Sequence, residues 1–185
     1  MNLKIADNYC FFATFWFICK INPIKLEYPL NYLLKTFEEL TPLDSMRIYQ
    51  LRQQIFMLEQ ECLYADIDGL DPSCWHLLGV EEERLISYLR IVPPGFHFDE
   101  PGLGRIIVIP EKRGDYIGSE LIRTGIQFCQ NNYPNIGISI EAQYHLKSYY
   151  EQFGFSALGD IYEVDNIPHI KMKLWEWLHL KTHFK

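Results

Sequence analysis

The chain has 185 residues, 48% hydrophobic, 15% aromatic and 22% charged, which is enough for one globular domain with a sizeable core and short for two. A formal net charge of −7 excludes a general affinity for nucleic acid or anionic membranes, since both require an extended basic face. The five cysteines (Cys10, Cys19, Cys62, Cys74, Cys129) are odd in number and lack CxxC spacing, so they read as reduced thiols of a cytoplasmic protein.

Residues 1–33 read as an N-terminal extension, packed on the domain or poorly ordered, and 34–185 as a single domain. Within the extension, residues 9–19 (YCFFATFWFIC) are apolar apart from Thr14. That run is too short for a membrane span, which takes about 20 helical residues. Asp7 beside Lys4, with no A-x-A site following, argues against a secretory signal.

Residues 34–40 (LKTFEEL) form an expected strand. Thr41 then supplies an N-cap, Pro42 the first helical position and Asp44 a first-turn acid. A helix is predicted through SMRIYQLRQQIFMLEQEC, with Met46, Tyr49, Ile55, Phe56 and Leu58 on its apolar faces. LYADIDGLDPS follows as an acidic, turn-rich loop. Its Asp66, Asp68 and Asp71 do not make a calcium loop, because Gly69 comes too early and Leu77 stands where the closing Glu belongs. No metal is expected there.

WHLLGV and RLISYLRIV read as strands joined by EEE, and PPGFHFDEPGLG as an irregular loop. RIIVIP is a short buried strand, followed by a helix from about Asp115 to Asn131 on which Ile117, Leu121, Ile122, Ile126 and Cys129 recur near the helical period. IGISIEA is a second buried strand, QYHLKSYYEQF a helix ending at Gly154, and HIKMKL a last strand. The aromatic end, WEWLHLKTHFK, could cover an apolar patch on a neighbour, which leaves a homodimer open. Two buried strands, each feeding a helix, bring loop residues together at the strands' carboxyl ends, where open α/β sheets bind ligands. EKRGDYIG (111–118) lies at one of these junctions. Taken alone it fits either a turn with solvated charges or an anion-binding loop.

RIIVIPEKRGDYIG and SIEAQYHLKSYYEQFGF resemble the cofactor-binding and following motifs of the GNAT superfamily of acyl-coenzyme A N-acyltransferases. LRQQIFMLEQECLYADIDGLD, HLLG, YLRIVPPG, LGRIIVIP, AQYHLKSYYEQFGF and IPHIKM are similar, in that order, to its ElaA-like branch over roughly residues 34–174. The resemblance implies an α/β (α+β) GNAT fold: a central mixed, mostly antiparallel sheet with a splayed pair of parallel strands, flanked by about four helices. In the superfamily's loop pattern Arg113 and Gly118 hold the ends, and Tyr116 stands in place of the inner glycine. Backbone amides across Arg113, Gly114, Asp115, Tyr116, Ile117, Gly118 and Ser119 would cradle pyrophosphate. A right-handed helical backbone at Tyr116 is the expectation, with its ring turned outward.

The resemblance further implies that acetyl-CoA is the cosubstrate, with Ile106, Ile107 and Val108 offering backbone groups to pantetheine and Gln143 either touching it or capping a helix. Tyr150, three before Gly154, matches the general-acid tyrosine. Glu59, Glu141 and His76 are the candidates to take a proton from an amine acceptor. The function implied is acetyl transfer to an amine of a small molecule or peptide in a ternary complex, with the acidic loop at 63–73 expected to border the acceptor cleft and to suit a cationic amine. The alternative is a catalytically silent acyl-CoA sensor or interaction module on the same fold.

Overall fold

A computed structural model describes residues 29–175. Most of the extension, including residues 9–19, and the tail at 176–185 lie outside the described residues.

Strand β1 spans Asn31–Thr36, and the residues read as its second half, Phe37–Glu39, form a turn. Helix α1 (Pro42–Arg52) starts where its capping signals placed it. The Asp44 amide donates to the Thr41 hydroxyl at 3.1 Å, and the Asp44 carboxylate accepts from the Thr41 amide at 3.0 Å. Over Gln53–Glu59 the helix loosens into a π-helix, a form that recurs near functional sites. β2 (Trp75–Glu81) and β3 (Arg84–Val92) make a hairpin whose turn residues Glu82 and Glu83 both take positive φ, as a primed turn requires.

β4 (Gly102–Val108) pairs with β3, and α2 (Ile117–Asn132) follows. β5 (Ile138–Gln143) leads into a 3-10 turn at Tyr144–Leu146 and a short α3 (Lys147–Glu151), where one continuous helix was expected. β6 (Ser156–Val164) and β7 (Ile167–Leu174) close the sheet in the order β1-β2-β3-β4-β5-β7-β6. The sequence reading has no strand at β6. Gly159, at φ +73°, sits in a register shift, so the strand lacks the alternation that marks a half-buried sheet edge.

Hydrophobic alternation gives the central strands two buried faces. Leu77, Leu89, Ile91 and Leu103 pack against Leu121 and Ile122 of α2, with Tyr150, Phe155 and Met172 in the same core. Leu78, Ile86, Tyr88 and Ile107 pack against Ile48, Leu51 and Ile55 on the other face. Gly125 sets the closeness of α2 to the sheet: a Cβ there would come within 3.2 Å of Leu89.

Two irregularities open the sheet at its centre. Tyr88 pairs with Ile107 and Arg90 with Gly104, so Leu89 faces both Arg105 and Ile106, a bulge with Arg105 at φ +52°. β4 and β5 run parallel but are in register only at Gly102 and Ser139, and then diverge. Every other strand pair is antiparallel. No described helix is long and apolar enough to cross a membrane.

Candidate active site

Where β4 and β5 part, a cleft of about 410 Å³ opens, with Phe56, Gln60, Arg105, Ile106, Glu141 and Tyr150 in its walls. Beyond Gly102 the β5-facing edge of β4 has no strand partner, so its backbone groups are free to bind a ligand. Ile106 lines the cleft, while the Ile107 side chain points into the core and is 2% exposed.

The turn from β4 into α2 uses two left-handed residues, Gly114 at φ +93° and Tyr116 at φ +61°. This overturns the expectation of a right-handed backbone at Tyr116. The chain leaves an extended strand and must re-aim along the α2 axis within a few residues, and left-handed steps make that bend. For a non-glycine residue such a step costs roughly 1–2 kcal/mol. The Tyr116 ring is 84% exposed, so it stands clear in solvent. No side chain caps α2, and the first-turn amides of Ile117, Gly118 and Ser119 have no acceptor within the helix. Gly118 is tight against Tyr149, whose hydroxyl would lie 3.1 Å from an added Cβ and meets the Ser119 hydroxyl at 3.2 Å.

The cations of this loop are already balanced inside the protein. Arg113 grips Glu59 through both terminal nitrogens at 2.8 and 3.0 Å, and its Nε donates to the Val108 carbonyl at 3.1 Å. Lys112 donates to Glu81 at 2.8 Å. The Arg113 amide, expected in the anion cradle, instead donates to the Pro110 carbonyl at 3.2 Å and closes a 3-10 turn, so what the loop offers an anion is its later N–H groups and helix dipole more than free cationic side chains.

Tyr150 lies on α3, 8% exposed, packed edge-on to Phe155 and against Tyr149. Its hydroxyl has no hydrogen-bond partner among the described residues, and burial, then the neighbouring Tyr149, push its phenol pKa well up. The group therefore stays protonated at neutral pH and available as a donor.

The three proton-acceptor candidates separate. Glu141 lines the cleft and accepts from or pairs with His97 Nε2 at 3.0 Å. Glu59 is held at the strand-to-helix loop by Arg113 and is not in the cleft wall. His76 is buried outside the cleft: its Nδ1 meets the Tyr88 hydroxyl at 2.8 Å and its Nε2 the Asp71 carbonyl at 3.0 Å. Burial lowers its pKa, so the ring is a neutral structural bridge with both nitrogens occupied. Gln143 lines the cleft but caps nothing; its amide donates to Gln60 Oε1 at 3.1 Å.

The acidic loop differs most from its expected role. Asp66 binds Arg52 at 2.7 Å and Arg105 at 2.6 Å, Asp68 binds Arg90 at 2.6 Å, and Asp71 bridges Arg52 and Arg90 at 2.9 and 2.8 Å. The loop does border the cleft, through Asp68, but three arginines neutralise the acidity that was to suit a cationic amine. Arginines far from the loop in sequence supply that balance, which no local pattern announces. His97, Gln60 and Arg105 are cleft residues that sequence reasoning missed. His97 lies in a loop without periodicity, so only its proximity to Glu141 marks it.

Comparisons with known proteins agree with this geometry. Residues 48–175 match the family described as Acetyltransferase (GNAT) domain. A UPF0039 protein of Synechocystis is 36% identical over 144 residues, covering 77% of this chain and 94% of that protein. Among solved structures, an acyl-CoA N-acyltransferase from Pseudomonas aeruginosa superposes with TM-score 0.75 at 32% identity, covering 78% of this chain and 99% of the other. ElaA of Escherichia coli gives the same TM-score, identity and coverage.

Proposed function

Because the chain belongs to the GNAT acetyltransferase family, and to its ElaA-like branch, we propose that it transfers an acetyl group from acetyl-CoA to an amine of a small molecule or peptide, by direct attack in a ternary complex. The observation that carries this reading is the single cleft uniting the unpaired β4 edge, the Tyr150 hydroxyl and the Glu141 carboxylate.

The residues present fit the cosubstrate. Gly114 and the uncapped start of α2 make the anion cradle, where pyrophosphate would meet the amides of Ile117, Gly118 and Ser119. Ile106 and Val108 present backbone along the open edge for the pantetheine arm. Acetyl-CoA brings an activated thioester, so the protein need supply only position, polarisation and proton traffic. A β4 amide near Val108 polarises the thioester carbonyl, a role whose loss typically costs about 3 kcal/mol. Tyr150 gives its proton to the departing sulfur, and Glu141 stands on the acceptor side where an ammonium must lose one.

The reading is tested by calorimetric titration with acetyl-CoA, followed by an acceptor screen over amines and peptides read by release of free thiol. Saturable binding with thiol release in the presence of an amine is expected, and no binding at millimolar cosubstrate would end it. A rival reading, a silent acyl-CoA sensor, draws on the left-handed Tyr116 and the internally paired loop cations. Binding with no transfer to any amine would favour that rival.

A further inference from the structure

We infer that His97, oriented by Glu141, is the group that takes the proton from the acceptor ammonium; this rests on the acetyltransferase reading above. An amine is mostly protonated at neutral pH and cannot attack until it loses a proton. Of the groups weighed for that task, Glu59 is held by Arg113 and His76 has both nitrogens occupied, while Glu141 touches His97 in the cleft wall. His169 also lines the cleft, its Nδ1 on the Ile167 carbonyl at 2.8 Å, but among the described residues it has no carboxylate bonded behind it.

The pair is held in place. Residues 93–101 fold back over β5 and β7, and three fastenings keep them there. The Gly95 amide, at φ +84°, donates to the Phe98 carbonyl at 2.7 Å and closes a tight turn around His97. The Phe98 ring lies beneath the Lys171 ammonium at 4.6 Å and so close to Gly102 that an added Cβ would be 3.0 Å away. Glu100 accepts from the Ser139 hydroxyl and pairs with Lys173 at 3.1 Å. His97 itself stands edge-on to Phe98 at 4.4 Å.

With Nε2–H donating to the Glu141 carboxylate, the lone pair of His97 is on Nδ1, which has no partner among the described residues. A base steered by a carboxylate behind it is the arrangement that activates nucleophiles in acyl transfer. Imidazoles exchange protons near neutral pH, where free carboxylates do not. The ionisable groups around the pair are Lys171 from β7, Glu100 from the loop that carries His97, Tyr162 from β6 beside Glu141, and His169 and Asp165 in the cleft wall.

The step balances as follows. The ammonium gives one proton to His97 Nδ1, and the imidazolium is stabilised by Glu141. The freed lone pair forms the N–C bond, and the C–S bond breaks with its electron pair going to sulfur. Tyr150 protonates the sulfur and is refilled by the second proton the nitrogen sheds. His97 returns its proton to solvent, so the sum is amide, thiol and one proton.

The test uses the full chain, acetyl-CoA and a panel of primary alkylamines, polyamines and peptides. His97→Ala should lower kcat on the best amine about 100-fold at neutral pH while leaving acetyl-CoA affinity and the melting curve unchanged. Added imidazole should restore part of that rate to the variant and none to wild type. Glu141→Gln should also lower kcat, and the double variant should fall no further than His97→Ala alone. Unchanged turnover in His97→Ala, or a loss that imidazole does not relieve, overturns the proposal and leaves the transferase reading intact. Wild-type protein that binds acetyl-CoA yet acetylates no amine overturns both.

Discussion

The strand-to-helix loop after β4 and the aspartate loop beside the cleft solve opposite problems. The strand-to-helix loop, residues 111–118, offers mainly backbone: its side chains are mostly exposed or paired with Glu59 and Glu81, and the amides at the start of α2 have no acceptor within the helix. The aspartate loop, residues 64–71, works through side chains. Asp66 and Asp71 are nearly inaccessible, and with Arg52 and Arg90 they make a buried lattice that reaches Arg105 at the β4 bulge. An exposed backbone turn accommodates an unusual side chain, as Tyr116 stands clear in solvent. A buried charge lattice does not, because every removed member strands a charge.

The strongest break of that contrast is Asp66→Ala. It takes one of two carboxylates from Arg52, which is fully buried, and leaves Arg105 only a longer contact to Asp68 at 3.3 Å, and should cost about 3 kcal/mol in chemical denaturation. A loss below about 1 kcal/mol would mean that the lattice relaxes like an exposed ion pair.

Next comes the chemistry of the cleft. Tyr150→Phe keeps the packing and removes only the cleft-facing hydroxyl, so kcat should fall about 100-fold with acetyl-CoA affinity unchanged. Turnover equal to wild type would remove Tyr150 from the acid role.

Acid titration separates the loops in a third way. Burial alone would raise the Asp66 and Asp68 pKa values, but Arg52 and Arg105 around Asp66, and Arg90 beside Asp68, more than reverse this and hold both carboxyls below the usual range. A lowered folded-state pKa contributes stability that is full above the unfolded value, about 4, and is lost as pH falls below it. Melting temperature should therefore drop steeply on acidification below that point, and Asp68→Asn should flatten the drop. An equal slope in the variant would show that the acid loss arises elsewhere.

The smallest effect belongs to the backbone loop. Tyr116→Gly relieves a left-handed tyrosine at the cost of chain entropy, for a net gain of about 0.5–1 kcal/mol. Acetyl-CoA affinity should change little, because the ring already stands in solvent. A clear rise in affinity would show that the ring screens the cradle.

Signals that act over a few residues were legible in the chain. The Thr41–Asp44 capping box, the β2–β3 hairpin, the apolar stripe of α2 and the strand-to-helix loop were all readable, and the ordered motifs resembled the right family. β6 was missed because Gly159 and Asp160 interrupt its alternation, and α3 was read too long because a 3-10 turn precedes it. Within the site, Tyr150 and Glu141 were named and lie in one cleft, whereas Glu59 and His76 carry structural bonds. His97 was overlooked, its partner being 44 residues away.

By itself, then, the sequence determined most of the order of elements, the strand-to-helix loop with its helix start, and the family. These rest on periodicity, caps and motif spacing, which a short window of chain contains. Only the tertiary structure decided the handedness of Tyr116, the neutralisation of the aspartate loop and the meeting of His97 with Glu141. Each depends on groups brought together across the sheet. The bulge at Arg105 and the divergence of β4 from β5 set which side chains face the cleft, and neither is encoded by any one stretch of residues.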